Sequence, residues 1–267
     1  MLFQKLQIRP LKGLGQNFLA DKGALKTIIK AADINPDEVV LEIGPGTGVL
    51  TLELAKYAKR VTAVEKDANM VEVLKELLKS QNIKNVEIIQ GDALKIQIPK
   101  SKLQNYKVVA NLPYYITSPV IRKFLEAENQ PKLMVLMVQK EVGQRICAKP
   151  PDMTLLAVSV QFYAEPKIIS YISRKSFWPS PKVDSAIIKI TPHGAVPQYN
   201  SGLCEQFFKI VRSGFSHPRK QLINNLSTGL SISREQVEAW LKKNKILPTT
   251  RAETLTVENW IKLTESL

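Results

Sequence analysis

Apolar residues follow two rhythms along the chain, and the change from one to the other divides it. In the first, short apolar runs at 39–43, 60–64, 86–89, 107–110 and 133–138 have the length and β-branched content of buried strands. Between them apolar positions recur at helical spacing over 51–58, 68–78 and 119–125. This alternation predicts a mainly parallel sheet covered by helices on both faces. A helix from Glu141 and another over 154–163 come next. Two more strands, 167–173 and 185–190, follow without a long helix between them and so predict an antiparallel pair, giving seven strands in all. Ahead of the sheet, Asp21 caps a helix whose apolar side is Ala24, Leu25, Ile28 and Ile29, and Asn35-Pro36-Asp37 ends it.

The second rhythm is helical only. Pro192, Gly194 and Pro197 break the pattern. Beyond them Phe207, Phe208, Ile210 and Val211, then Leu222, Ile223 and Leu226, mark helical faces, with others at 237–241 and 257–263. The expected fold is therefore α/β and Rossmann-like in residues 1–195, followed by a small all-α domain in residues 196–267.

Charge changes this picture more than composition does. Thirty-eight basic residues against 24 acidic ones give +14, and both parts contribute, with 28 against 18 up to residue 192 and 10 against 6 beyond it. A field of that sign favours polyanions such as nucleic acid. The apolar run at 133–138 is far shorter than the roughly 20 residues of a membrane span, so no membrane partner is expected. The first ten residues lack the apolar core of a secretory signal, and Cys147 and Cys204 are too few for a disulfide framework; a cytoplasmic protein is expected. His193 and His217 are the only histidines, so a Cys and His cluster for zinc cannot be assembled and no metal is expected.

Candidate chemistry sits at the strand ends. Glu42-Ile43-Gly44-Pro45-Gly46-Thr47-Gly48 follows the first strand and opens a helix, where α/β sheets bind nucleotides and where Gly44 and Gly46 let a ligand press against the backbone. Glu65 ends the second strand 19 residues beyond Gly46, the distance at which an acidic side chain accepts from both hydroxyls of a ribose. Asp92, in Gly91-Asp92-Ala93 at the end of the third strand, can accept from an adenine amino group, or serve as a helix cap. A dinucleotide and S-adenosylmethionine both fit these features, although Gly-x-Gly-x-Gly differs from the dinucleotide spacing.

The fourth strand ends in Asn111-Leu112-Pro113-Tyr114, which suits methylation of an amino nitrogen whose lone pair is delocalised into a purine. Acceptors aimed at the two N–H bonds, the Asn111 side-chain oxygen and the Leu112 carbonyl, favour localisation of that lone pair. Pro113 stiffens the turn and Tyr114 offers a stacking face. A base must leave its helix or loop to reach such a pocket, and it then needs a second π-face. Phe177-Trp178-Pro179-Ser180-Pro181 can supply one through Phe177; packing on a sheet edge is the alternative, expected more of Trp178 than of Phe177.

With these motifs the chain resembles the ribosomal RNA adenine N6,N6-dimethyltransferase family over nearly its whole length. Leu14-Gly15-Gln16-Asn17-Phe18-Leu19, Gln139-Lys140-Glu141-Val142, the segment 177–185 and Arg251-Ala252-Glu253-Thr254-Leu255 add to the resemblance. It implies a class I methyltransferase fold, S-adenosyl-L-methionine as cofactor, and dimethylation of two adjacent adenosines near the 3′ end of 16S rRNA, within the small subunit or its precursor, by a monomer. It also implies that Asn17 and Leu19 close over the cofactor, Gly44 lies against it, Glu65 holds the ribose, and Asp92 and Ala93 read the adenine. Asn111 then touches both the methionine end and the target amine, while Tyr114 and Phe177 sandwich the base. Without the resemblance, residues 15–18 read as a loop before a helix. Lys5, Arg9 and Lys12, and Arg219 and Lys220 at the head of a later helix, are candidate phosphate contacts, with His217-Pro218 interrupting the family's basic run there. Three rival readings stand beside this one: a large-subunit adenine methyltransferase of the macrolide-resistance type, a non-catalytic RNA-binding assembly factor, and a nicotinamide-dependent oxidoreductase.

Overall fold

A computed structural model describes residues 10–194 and 201–267. Seven strands form one sheet: β2 (Val39–Ile43), β3 (Arg60–Glu65), β4 (Val86–Gln90), β5 (Tyr106–Asn111), β6 (Leu133–Gln139), β7 (Ala164–Ile172) and β9 (Ser185–Pro192), in the order β4-β3-β2-β5-β6-β9-β7. The first five run parallel, with Val39 opposite Arg60 and Tyr106, and Lys107 opposite Leu133. β9 reverses against β6, Met134 facing Ile190 and Gln139 facing Ser185. Burial explains the sequence of each strand. β6 is covered on both faces and reads as an unbroken apolar run, whereas β7, at the edge of the sheet, alternates exposed and covered positions.

Helix α1 (Lys22–Ala32) precedes these strands in sequence, and α2 (Val49–Ala55), α3 (Ala68–Ser80), α4 (Thr117–Leu125) and α5 (Lys140–Ile146) lie among them. Asp21 caps α1 by accepting the Gly23 and Ala24 N–H bonds, and its other oxygen accepts the Ser176 hydroxyl at 2.7 Å. The chain leaves β2 toward β3 on one side and reaches β5 on the other. This reversal of strand order opens a crevice beyond the carboxyl ends of β2 and β5.

The structure adds one element that the apolar rhythm does not announce. β1 (Phe18–Leu19) pairs antiparallel with β8 (Phe177–Trp178), Phe18 opposite Trp178 and Leu19 opposite Phe177. Two-residue strands are too short for periodicity to register.

Contacts divide the chain into two compact units, one of residues 1–143 and 165–192, the other of residues 144–164 and 193–267. Residues 144–164 thus differ from the division at 195, which itself lies outside the described residues, as does Pro197. The reason is packing. Phe162, just past α6 (Leu155–Gln161), stacks on Phe207 at 4.1 Å between ring centroids and meets Phe208 edge-on at 5.5 Å. Phe207 belongs to α7 (Ser201–Gly214), which together with α8 (Leu222–Leu230), α9 (Arg234–Lys243) and α10 (Val257–Glu265) encloses Ile210, Leu226, Leu241 and Trp260. Gly214 makes room for that tryptophan, whose ring would stand 2.3 Å from a Cβ there.

Candidate active site

One cavity lies at the carboxyl ends of β2, β3 and β5. The turn after β2 forms its floor, and Gly44, Gly46 and Gly48 take φ of 66°, 51° and 79°, the left-handed region that favours glycine. A Cβ on Gly46 would also meet the Phe18 ring at 2.9 Å, so a second reason for glycine is close approach.

Glu65 closes one side. It is 6% exposed, and its two oxygens accept the Gly46 N–H at 3.1 Å and the Asp67 N–H at 2.9 Å. Burial pushes its carboxyl up. Hydrogen bonds from the Asp67, Gly46 and Lys66 backbone oppose that push, and the charge of Asp67 adds to it. Each carboxylate oxygen keeps lone-pair capacity for a hydroxyl donor. Asp92, also on the cavity wall beside Ala93, accepts the Leu94 N–H and the Lys66 ammonium, each at 3.0 Å, and these hold its carboxyl below the usual range.

The opposite side is the turn after β5. The Asn111 side-chain amide donates to the Asn17 carbonyl at 3.1 Å, which leaves its oxygen as the acceptor. The Leu112 N–H donates to the Met137 carbonyl at 3.3 Å, pinning the start of the turn to β6. Pro113 has φ −55° and ψ 127°, an extended conformation that carries the chain outward. Tyr114 is half-buried, and its hydroxyl lies 2.8 Å from the Ser185 hydroxyl. Burial raises that phenol, the Ser185 bond opposes it and the Asp184 charge adds to it, so the ring stays neutral near neutral pH.

Residues 14–19 form the third side. Gln16 donates to the Asp67 carboxylate at 2.8 Å and Asn17 to the Gly15 carbonyl at 3.0 Å, so the segment is tied to the start of α3 and to itself. Asn17 and Leu19 both line the cavity.

Of the predicted site residues, Phe177 alone lies elsewhere. It is 5% exposed and packs into a core with Leu19, Leu25, Ile172 and Ile187, outside the cavity wall. Trp178, expected to be the structural ring, is 37% exposed and stacks on Phe18 with centroids 6.5 Å apart. The pairing of β1 with β8 decides this, because successive residues of a strand point to opposite faces. Glu42 went unremarked in the sequence apart from its place in the glycine motif, yet it also lines the cavity at 1% exposure, and its Oε2 has no hydrogen-bond partner. The signal was available: a single carboxylate inside an apolar strand. Lys5 and Arg9 lie outside the described residues. Arg219 and Lys220 are exposed and precede Gln221, the N-cap of α8, rather than heading the helix itself. Among the described residues no helix is long and apolar enough to cross a membrane, and no group of three or more His, Cys, Asp or Glu side chains is placed to hold a metal ion.

A family model described as ribosomal RNA adenine dimethylase matches residues 9–267. A ribosomal RNA small subunit methyltransferase A from Dehalococcoides mccartyi is 49% identical across 95% of this chain and 87% of that protein. The protein of the same name from Clostridium botulinum is 40% identical across 100% of this chain and 97% of its own length. Among solved structures, a dimethyladenosine transferase from Plasmodium falciparum is 30% identical with a TM-score of 0.78, covering 92% of this chain and 95% of its own. A 23S rRNA methyltransferase is 29% identical with a TM-score of 0.76, covering 94% and 99%. By the family match and by these relatives, the chain belongs to the ribosomal RNA adenine dimethylase family of S-adenosylmethionine-dependent methyltransferases.

Proposed function

We propose that this protein dimethylates the N6 amino groups of two adjacent adenosines near the 3′ end of 16S rRNA, in the small ribosomal subunit or its precursor. The observation that carries the reading is a single cavity whose wall includes Glu65 and Asp92 on one side and Asn111 and Tyr114 on the other. One side suits a nucleoside, the other an amine on a planar base. The residues fit the cofactor: Gly44 and Gly46 bring bare backbone to the cavity wall, Glu65 retains acceptor capacity, and Glu42 holds a buried oxygen without a hydrogen-bond partner.

In this reading Glu65 holds the ribose hydroxyls, Asp92 and Ala93 frame the adenine, and Gly44, Gly46, Asn17 and Leu19 enclose the rest. S-adenosylmethionine supplies an electrophilic methyl group when bound. The chain's own work is to orient the acceptor. Asn111, its amide nitrogen already committed to Asn17, turns its oxygen toward one N–H of the target amine, and the Leu112 carbonyl takes the other. Drawing both N–H bonds into the plane of these acceptors favours localisation of the nitrogen lone pair toward the donor. Tyr114, anchored by Ser185, stacks on the extruded base. Phe177 reaches the other face of the base only if β8 shifts; Trp178 is the exposed ring beside it.

The sheet unit would carry cofactor and catalysis and the basic helical unit RNA contacts. In this reading the protein acts as a cytoplasmic monomer. The test is methyl transfer from labelled donor to small-subunit particles lacking adenine dimethylation, followed by mass spectrometry of the 3′-terminal fragment. Two dimethylated adenosines there are expected. Label in 23S rRNA instead would favour the large-subunit reading, which the similarity to a 23S rRNA methyltransferase keeps in view.

A further inference from the structure

Of the three carboxylates on the cavity wall Asp92 is paired with Lys66, whereas Glu42 and Glu65 have no cation paired with them. Glu42 in β2 is 1% exposed and Glu65 at the end of β3 is 6% exposed. Of the elements around the cavity, β3 contributes Glu65, α2 the Thr51 hydroxyl, β5 the neutral Asn111 and the segment before β1 the neutral Gln16 and Asn17. The lysine on the wall, Lys66, is engaged with Asp92 at 3.0 Å and is not among the groups acting on Glu42. Glu65 is served by backbone N–H donors, whereas the Oε2 of Glu42 has no partner at hydrogen-bond geometry and only the neutral Thr51 hydroxyl nearby draws on its carboxyl.

A charge so placed is expensive unless a cation joins it. The methyl donor is such a cation: its sulfonium and ammonium outweigh its carboxylate by one positive charge. After transfer the sulfur is an uncharged thioether and the molecule carries no net charge.

We propose that Glu42 is the residue by which the cavity distinguishes the methyl donor from its spent product, giving up a proton to solvent as the donor enters and taking one back once the thioether remains. The inference rests on the cofactor reading of this cavity and adds to it a residue that selects on charge. Burial supports it by pushing the Glu42 carboxyl up to about 8, with a smaller opposing pull from Thr51 and a further push from the Glu65 charge. In the free protein at neutral pH the group is therefore mostly protonated. A cation in the same water-poor cavity lowers its pKa and ionises it.

Linkage fixes the sign. A group that loses a proton on binding makes affinity rise with pH, by at most about tenfold per pH unit while the free group is protonated, and the rise levels off above about pH 8. The ligand's own amino group titrates near about 8 as well, but it does so in every variant, so the readout is a difference between proteins.

The experiment is calorimetric titration of the full chain with S-adenosylmethionine and with S-adenosylhomocysteine, in buffers of different ionisation enthalpy, for wild type and Glu42→Gln. Expected is about one more proton released by wild type than by E42Q on binding the donor near neutral pH, with a smaller difference for the thioether. The preference for donor over thioether should fall by about tenfold in E42Q. Equal proton release and equal preference in the two proteins would overturn the proposal while leaving the cavity as the cofactor site. Failure of wild type to bind either compound would overturn both. If E42Q does not fold, wild type alone decides: donor and thioether affinities that change in parallel from about pH 6 to about pH 8 would sink the idea.

Discussion

The sheet carries buried charge at both ends, and the two ends treat it in opposite ways. At the amino end of β2 and β5, Glu38 and Lys107 are buried together as an ion pair at 2.8 Å, and Glu38 also accepts the Asn35 N–H at 2.9 Å. At the carboxyl end, Glu42 and Glu65 are as buried but have no cation, and one oxygen of Glu42 has no partner. The helical unit offers a control, since its interior, among the described residues, buries no charged side chain. Burial that serves the fold pairs its charges inside the chain, whereas burial that serves a ligand leaves part of the pairing to the ligand.

The largest effect should come from breaking the paired end. Lys107→Met strands Glu38 and should cost about 3 kcal/mol in urea denaturation, the low end for a broken buried pair, with cofactor affinity unchanged. A loss below about 1 kcal/mol would make the pair equivalent to a surface one and weaken the contrast between the ends. The pH dependence has a definite sign. Burial pushes Glu38 up, but the Asn35 and Lys107 bonds outweigh it and hold the carboxyl below its ordinary range. Its contribution is therefore present above the unfolded value and lost as pH falls through the folded one, so Lys107→Met should remove part of the acid sensitivity of wild type.

Next comes Asn111→Ala, which should lower methyl transfer by about 100-fold while small-subunit particles are bound within a few-fold of wild type. Wild-type turnover would remove Asn111 from the chemistry. Glu65→Ala should weaken S-adenosylmethionine binding by about 2 kcal/mol in calorimetry, the worth of hydrogen bonds to a charged acceptor. Unchanged affinity would mean that this buried carboxylate, too, serves only the fold.

A pH-dependent change separates the ends by stability. Glu42 has a folded pKa raised to about 8, so the free protein should lose stability as pH rises from the unfolded carboxylate range to about 8, and no further beyond it. Glu42→Gln should abolish that decline and raise Tm at the upper end. A Tm below that of wild type there would mean the carboxylate has an internal partner. The smallest effect concerns surface charge: Arg219→Ala with Lys220→Ala should leave cofactor binding intact and lower the salt slope of RNA binding by about 1.5, if both touch phosphates. An unchanged slope would place the RNA elsewhere on the basic surface.

The apolar rhythm alone determined the seven strands, the helices between them and the change to an all-helical region. Burial on two faces writes itself into sequence as unbroken runs such as 133–138, and burial on one face as 3.6-residue spacing. Glycine spacing and strand-end position also located Gly44, Gly46, Glu65 and Asp92, because a turn that must admit a ligand restricts which residues can occupy it. Tertiary structure alone decided the rest. Phe177 went into the core, away from the cavity wall, and Trp178 onto the Phe18 ring because a two-residue pairing with Phe18 and Leu19 set their faces, and no local pattern encodes a partner more than 150 residues away. Residues 144–164 joined the helical unit because Phe162 finds Phe207, a long-range contact that chain order hides. In strand 39–43 Glu42 stands out as a lone carboxylate among apolar residues, but only folding shows that it lines a cavity where the chain provides no counter-charge.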